Sequence, residues 1–105
     1  MSFGLSEPHL ALLRELIARQ LPEGAEVLVY GSRAKGDHTP RSDLDLIVKS
    51  APADRHRLAA LREAIEDSDF PILCDLQYYE DIRNPTLKDH IDRRARPLLQ
   101  PTLHA

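Results

Sequence analysis

Three acidic side chains stand inside stretches otherwise suited to a protein core. Asp43 and Asp45 alternate with leucines in Asp43-Leu44-Asp45-Leu46-Ile47-Val48, and Asp75 interrupts the apolar run Ile72-Leu73-Cys74-Asp75-Leu76-Gln77-Tyr78. On a β-strand successive side chains point to opposite faces, so Asp43 and Asp45 project together while Leu44 and Leu46 enter the core. Carboxylates held side by side repel one another and resist full ionisation without a counter-charge. On the second run, Ile72, Cys74, Leu76 and Tyr78 share one face and Asp75 lies on the other. There a lone carboxylate is costly unless paired or bound to metal. If the two strands lie side by side, the three carboxylates converge on an all-oxygen site that suits magnesium or manganese. Two such ions, about 3.5–4 Å apart, would clamp the attacking and leaving oxygens of a phosphoryl displacement. Asp43, Asp45 and Asp75 are thus the expected metal ligands and catalytic residues.

A second element belongs to the same chemistry. The apolar run Glu26-Val27-Leu28-Val29-Tyr30 ends at Gly31-Ser32, and a small, polar, turn-rich segment follows as far as Ser42. Such a turn lets backbone N–H groups approach a polyphosphate closely. Ser32 adds a hydroxyl donor, and Arg33 and Lys35 are candidates for phosphate contacts. This is not a Walker A loop, because Asp37 and His38 stand where its lysine and hydroxyl residue belong. Alone, Gly-Ser is an ordinary turn and Asp-x-Asp an exposed acidic pair. The order of strand, Gly-Ser, ten residues, Ser-Asp-x-Asp in a second strand, and then a strand with a central Asp carries the argument.

The elements that must position these residues follow from periodicity. Ser6 is a helix cap with Glu7 and Pro8 in the first turn, and Leu10, Leu13, Ile17 and Leu21 recur at helical spacing until Pro22-Glu23-Gly24. After a break at Ser50-Ala51-Pro52, a helix is expected over residues 53–67 with Leu58, Leu61 and Ile65 as its buried stripe. Another is expected from Pro85 to about Arg96, with Leu87, Ile91 and Ala95 on one face. The segment from Pro97 to Ala105 contains two prolines and is expected to be irregular or docked on a partner. The order helix, strand, strand, helix, strand, helix predicts an α+β fold, a small mixed sheet with helices packed on it.

Composition limits what else the chain does. Its 105 residues point to one domain spanning residues 1–105, with one modest core and little left to enclose a second substrate. No stretch approaches the roughly 20 apolar residues of a membrane span, and the N-terminus shows no charged segment followed by an apolar one. Cys74 is the only cysteine, so no internal disulfide is expected and no zinc pattern is present. A cytoplasmic protein is expected. The net charge of −3 gives little support for direct nucleic-acid or membrane binding, and the cluster Arg93-Arg94-Ala95-Arg96 reads as a solvated helix face. Of Tyr78 and Tyr79, one ring is expected in the core and one at the surface.

Gly31-Ser32-Arg33-Ala34-Lys35-Gly36 followed by Ser42-Asp43-Leu44-Asp45-Leu46-Ile47-Val48 resembles the signature of the DNA polymerase β-type nucleotidyltransferases. Within them the chain is most similar to the minimal nucleotidyltransferase, or MNT, domains of prokaryotes, over about Glu26 to Tyr79. The resemblance implies that Gly31 and Ser32 bind the triphosphate of ATP and that Asp43 and Asp45 hold Mg2+. Asp75, matching the third carboxylate, would hold the ion that activates the acceptor hydroxyl. It further implies pairing with a helical HEPN toxin, and transfer of AMP to a hydroxyl of that partner, a tyrosine, by which the chain acts as an antitoxin. Two other readings stay open: an antitoxin that neutralises by binding alone, and a nucleotidyltransferase for a small drug or metabolite. The first has no need of two adjacent carboxylates, and the second needs a further domain or a dimer to surround its acceptor.

Overall fold

Local sequence signals set the helices. Ser6 Oγ accepts a hydrogen bond from the His9 N–H at 3.3 Å and so caps α1, Glu7–Gln20, as the sequence predicts. Asp54 Oδ1 does the same at 3.0 and 3.2 Å for the N–H groups of His56 and Arg57, starting α3, Arg55–Glu66. Asn84 Oδ1 caps α4, Pro85–Arg94, with Pro85 in the first turn, where its missing N–H costs nothing. The computed structural model in which these elements are seen describes residues 3–50 and 53–99. Ala51 and Pro52 of the predicted break therefore lie outside the described residues, as do residues 100–105 of the predicted tail.

Four strands form one sheet in the order β3-β2-β1-β4, where β1 is Glu26–Tyr30, β2 Leu44–Lys49, β3 Cys74–Tyr78 and β4 Arg96–Leu99. β1 pairs antiparallel with β2 and with β4, while β2 and β3, joined through α3, run parallel. A parallel pair needs a crossover connection, and the helix supplies it. The fold is α+β with a mixed sheet, as the order of elements predicts.

The two faces of the sheet bury different sets of side chains. Val27, Val29, Leu44, Leu46, Val48, Leu76 and Tyr78 join Leu13 and Ile17 of α1 and Leu61 and Ile65 of α3 in the main core. Tyr78 donates its hydroxyl to the Asp54 carbonyl at 2.8 Å, anchoring β3 to the start of α3. On the other face Leu28 and Ile47 meet Ile82 and Ile91 in a second, smaller cluster beneath α4. Tyr78 is in the core and Tyr79 at the surface, as the sequence predicts.

One expectation is overturned. The segment after Arg96 is not irregular at its start, because Arg96–Leu99 is the edge strand β4. Proline at 97 misleads a periodicity argument, yet an edge strand tolerates it where the missing N–H faces away from the ladder. The α4 helix correspondingly stops at Arg94, two residues early. Both edges carry an arginine as guard. Arg14 Nε donates to the Leu98 carbonyl on β4 at 3.2 Å, and Arg62 Nη2 to the Leu76 carbonyl on β3 at 3.4 Å. Occupied carbonyls and positive charge both blunt edge-to-edge pairing with another chain.

Candidate active site

The site grows from the end of β1. Tyr30 is the register partner of Asp45 on β2, so the chain leaves the sheet beside that carboxylate. It does so through Gly31, at φ 76° and ψ −152°, a conformation essentially restricted to glycine. A Cβ on Gly31 would stand 2.5 Å from Asp45 Oδ2. The absence of a side chain is therefore what lets the turn and the carboxylate meet. The next four residues, Ser32–Lys35, form the one-turn helix α2, closed at Gly36 in the left-handed region. The first N–H groups of so short a helix have no intrahelical acceptor, which leaves them available to an anion.

Two of the carboxylates, Asp45 and Asp75, are brought side by side by neighbouring strands. Asp45 and Asp75 are direct register partners on the parallel pair β2 and β3, which puts their side chains on one face of the sheet. Asp43 lies just before β2, two residues from Asp45, and like Asp75 is exposed, whereas Asp45 is half-buried. Burial, and then the charges of Asp75 and Asp43, hold the Asp45 carboxyl above its ordinary value. Neighbouring carboxylates of this kind resist full ionisation without a counter-charge.

Asp43, Asp45 and Asp75 would offer oxygen ligands of the kind that suits a hard divalent ion. Among the described residues, no group of three or more His, Cys, Asp or Glu side chains is placed to hold a metal ion. The neighbouring thiol takes no part. Burial, reinforced by Asp43 and opposed by Arg33, pushes Cys74 up to about 12, so it is a thiol at neutral pH and a poor nucleophile.

Arg33 is placed elsewhere than a phosphate contact requires. Its side chain is 2% exposed, and the guanidinium donates to the backbone carbonyls of Phe3, Ser42, Thr39 and Pro40 at 2.9, 3.0, 3.4 and 3.3 Å. A guanidinium carries five N–H donors and no acceptor, so bonding to four carbonyls uses most of them. Arg33 ties the loop before Asp43 to the N-terminal segment and so positions the carboxylate. Arg33→Met is expected to lower stability by roughly 2–3 kcal/mol, because it strands those carbonyls. Chemical denaturation would show this as a lower midpoint with an unchanged slope.

Lys35 is exposed and lies 3.6 Å from Asp37. It lines a cleft of about 550 Å³ with Tyr30, Gly31, Ser32, Ala34, Asp37, His90, Arg94 and Arg96. The volume is in the range of small-ligand sites. Sequence reasoning missed His90, Arg94 and Arg96. The arginines of the basic cluster at 93–96 are exposed, as its assignment to a solvated face predicts, and Arg93 pairs with Asp89 at 3.3 Å, but Arg94 and Arg96 also line the cleft.

The sequence profile of the nucleotidyltransferase domain family matches residues 10–98, most of the chain. The chain belongs to that family. This nucleotidyltransferase is 34% identical to "Probable protein adenylyltransferase MntA" of Haemophilus influenzae, over 93% of this chain and 91% of that protein. A solved structure described as a candidate minimal nucleotidyltransferase superposes with a TM-score of 0.69 at 28% identity, covering 92% of this chain and 96% of that one. A crystal structure of a toxin–antitoxin with AMP-PNP superposes with a TM-score of 0.70 at 20% identity, over 91% and 74% of the respective chains. At that identity the likeness speaks for the fold. Together these relatives make this nucleotidyltransferase a domain of the minimal type. Among its described residues no helix is long and apolar enough to cross a membrane.

Proposed function

We propose that this nucleotidyltransferase moves AMP from ATP, with Mg2+, onto a tyrosine hydroxyl of a helical HEPN-type toxin and so acts in the cytoplasm as its antitoxin. One observation supports the reading above all: Asp45 touches the Gly31 turn on one side and is in register with Asp75 on the other. A triphosphate laid on the turn therefore has its α-phosphorus end beside the carboxylates. The relative named as an adenylyltransferase supports AMP as the transferred group.

In the reaction, the acceptor oxygen forms a bond to the α-phosphorus and the bond to the β-phosphate bridging oxygen breaks. Pyrophosphate leaves with that electron pair, and the hydroxyl proton passes to Asp75 or to water. Gly31 and Ser32 would hold the triphosphate through backbone N–H groups and the Ser32 hydroxyl, while Asp43, Asp45 and Asp75 would hold the metal. A divalent cation bound there would neutralise charge on the phosphoryl oxygens and favour the ionised acceptor. The protein's share is position, and a correct attack geometry contributes much of the rate.

The test is incubation of the chain with ATP labelled on the α-phosphate, Mg2+ and the product of the neighbouring gene. Label is expected on a tyrosine of that protein, and a Tyr→Phe change there should remove it. Absence of label with the wild-type pair would sink the reading. Neutralisation of the toxin that survives Asp43→Asn with Asp45→Asn would instead assign the effect to binding alone.

A further inference from the structure

The cleft beside Gly31 is cationic in a chain that is acidic overall. The net charge is −3, yet the lining includes Lys35, Arg94 and Arg96 against a single acidic residue, Asp37. Asp37 already faces Lys35 at 3.6 Å. Among the described residues Arg94 and Arg96 have no carboxylate within ion-pair distance, unlike Arg93 beside them. Their placement is fixed by structure. Arg94 ends α4, and Arg96 opens β4 as the register partner of Val29, just before the Gly31 turn. A hydrogen bond between Tyr30 Oη and His90 Nδ1, 3.1 Å long, joins α4 to the end of β1 in the wall of the cleft.

None of Asp43, Asp45 and Asp75 lines this cleft. The Gly31 turn thus divides an acidic side from a basic one. A phosphate chain crossing the turn can satisfy both sides in one direction only, with its reacting phosphorus toward the carboxylates and its far end among the arginines. We propose that Arg94 and Arg96 grip the terminal phosphates of the nucleoside triphosphate, retain the pyrophosphate after cleavage, and set selectivity for triphosphates over monophosphates. The proposal rests on the nucleotidyl-transfer reading above. It assigns to these two side chains a positioning task that Lys35, which lines the same cleft, supports. Guanidinium groups suit it because their planar fork matches phosphate oxygens in pairs.

The experiment measures binding of AMP-PNP and of AMP by calorimetry, and inhibition of transfer by inorganic pyrophosphate. Wild type is compared with Arg94→Gln/Arg96→Gln, with Arg94→Lys/Arg96→Lys and with Arg93→Gln. All three changes are at exposed positions and are expected to leave melting temperatures nearly unchanged. Charge-assisted phosphate contacts of this kind are worth about tenfold in affinity each. The double glutamine variant should therefore bind AMP-PNP roughly a hundredfold more weakly and resist pyrophosphate at least about tenfold better, with AMP affinity nearly unaltered. The lysine pair should recover part of the loss, and Arg93→Gln should match wild type. Unchanged AMP-PNP binding in the glutamine pair, or equal losses for AMP and AMP-PNP, would overturn the proposal. A wild-type chain that discriminates AMP-PNP from AMP through these arginines but transfers no AMP keeps the phosphate grip and strikes only at the reaction.

Discussion

Asp45→Asn is expected to cut nucleotidyl transfer by at least about a thousandfold while raising the melting temperature of the metal-free protein at neutral pH. The activity loss follows from the central place of Asp45 in the acidic group. Charge stabilisation by a bound cation is worth several kcal/mol at the transition state, and each 1.36 kcal/mol is about tenfold in rate. The stability gain follows from the same carboxylate in the opposite sense. Burial and the charges of Asp75 and Asp43 raise its folded-state value above the ordinary 3.8. Between the unfolded and folded values the folded protein binds more protons than the unfolded chain, so stability falls as pH rises through that window. Above it, at neutral pH, the penalty is fully present. Asparagine keeps the shape and removes the charge, and with it the penalty.

Thermal melts in EDTA check the sign. The variant should exceed wild type at pH 7, and the difference should shrink as the pH is lowered toward 3.8. Added Mg2+ should stabilise wild type, because a ligand that binds only the folded state raises its stability, and should do little for the variant. A variant that melts below wild type in EDTA at neutral pH would show that Asp45 is paired rather than repelled. An acidic site that strains the free protein is the reverse of a structural ion pair, and the two are told apart by this sign alone.

Much of this arrangement is legible in the order of residues because strand alternation is rigid. Leu44 and Leu46 belong to the main core, which forces Asp45 to the opposite face, and the same parity sets Asp75 against Cys74 and Leu76. The strand neighbours that bring Asp45 level with Asp75 follow from α3, a helix of crossover length between two apolar runs. The strand ends were less legible. β2 begins at Leu44 and β3 at Cys74, so Asp43 and Ile72 lie in the approaches rather than the ladder. The residue type of Arg33 suggests a phosphate contact, whereas its four carbonyl partners come from segments as distant as Phe3. No local pattern encodes a partner thirty residues away. The same holds for Arg94 and Arg96: Arg94 ends α4, and only the pairing of β4 with β1 carries Arg96 to the strand that ends at the Gly31 turn.

Gly31→Ala is expected to lose about a hundredfold or more in transfer and roughly 1–3 kcal/mol in stability, the latter being the strain of a side chain at such dihedrals. The structure separates strain from collision. At Gly36, φ is 92° and nothing lies within 4 Å of an added Cβ, so Gly36→Ala pays backbone strain alone. At Gly31 the added carbon meets Asp45 Oδ2 at 2.5 Å, and either the turn or the carboxylate must move. A displacement near 1 Å at a reacting centre is enough for about a hundredfold in rate. Denaturation should therefore show losses of the same order for the two variants, while kcat/KM for ATP should fall steeply only for Gly31→Ala. Equal activity losses would mean that the turn matters through its flexibility and that its contact with Asp45 is incidental. Should the steep loss belong to Gly31 alone, the missing side chain is part of the active site, since it is the gap through which a triphosphate on the turn reaches the carboxylates.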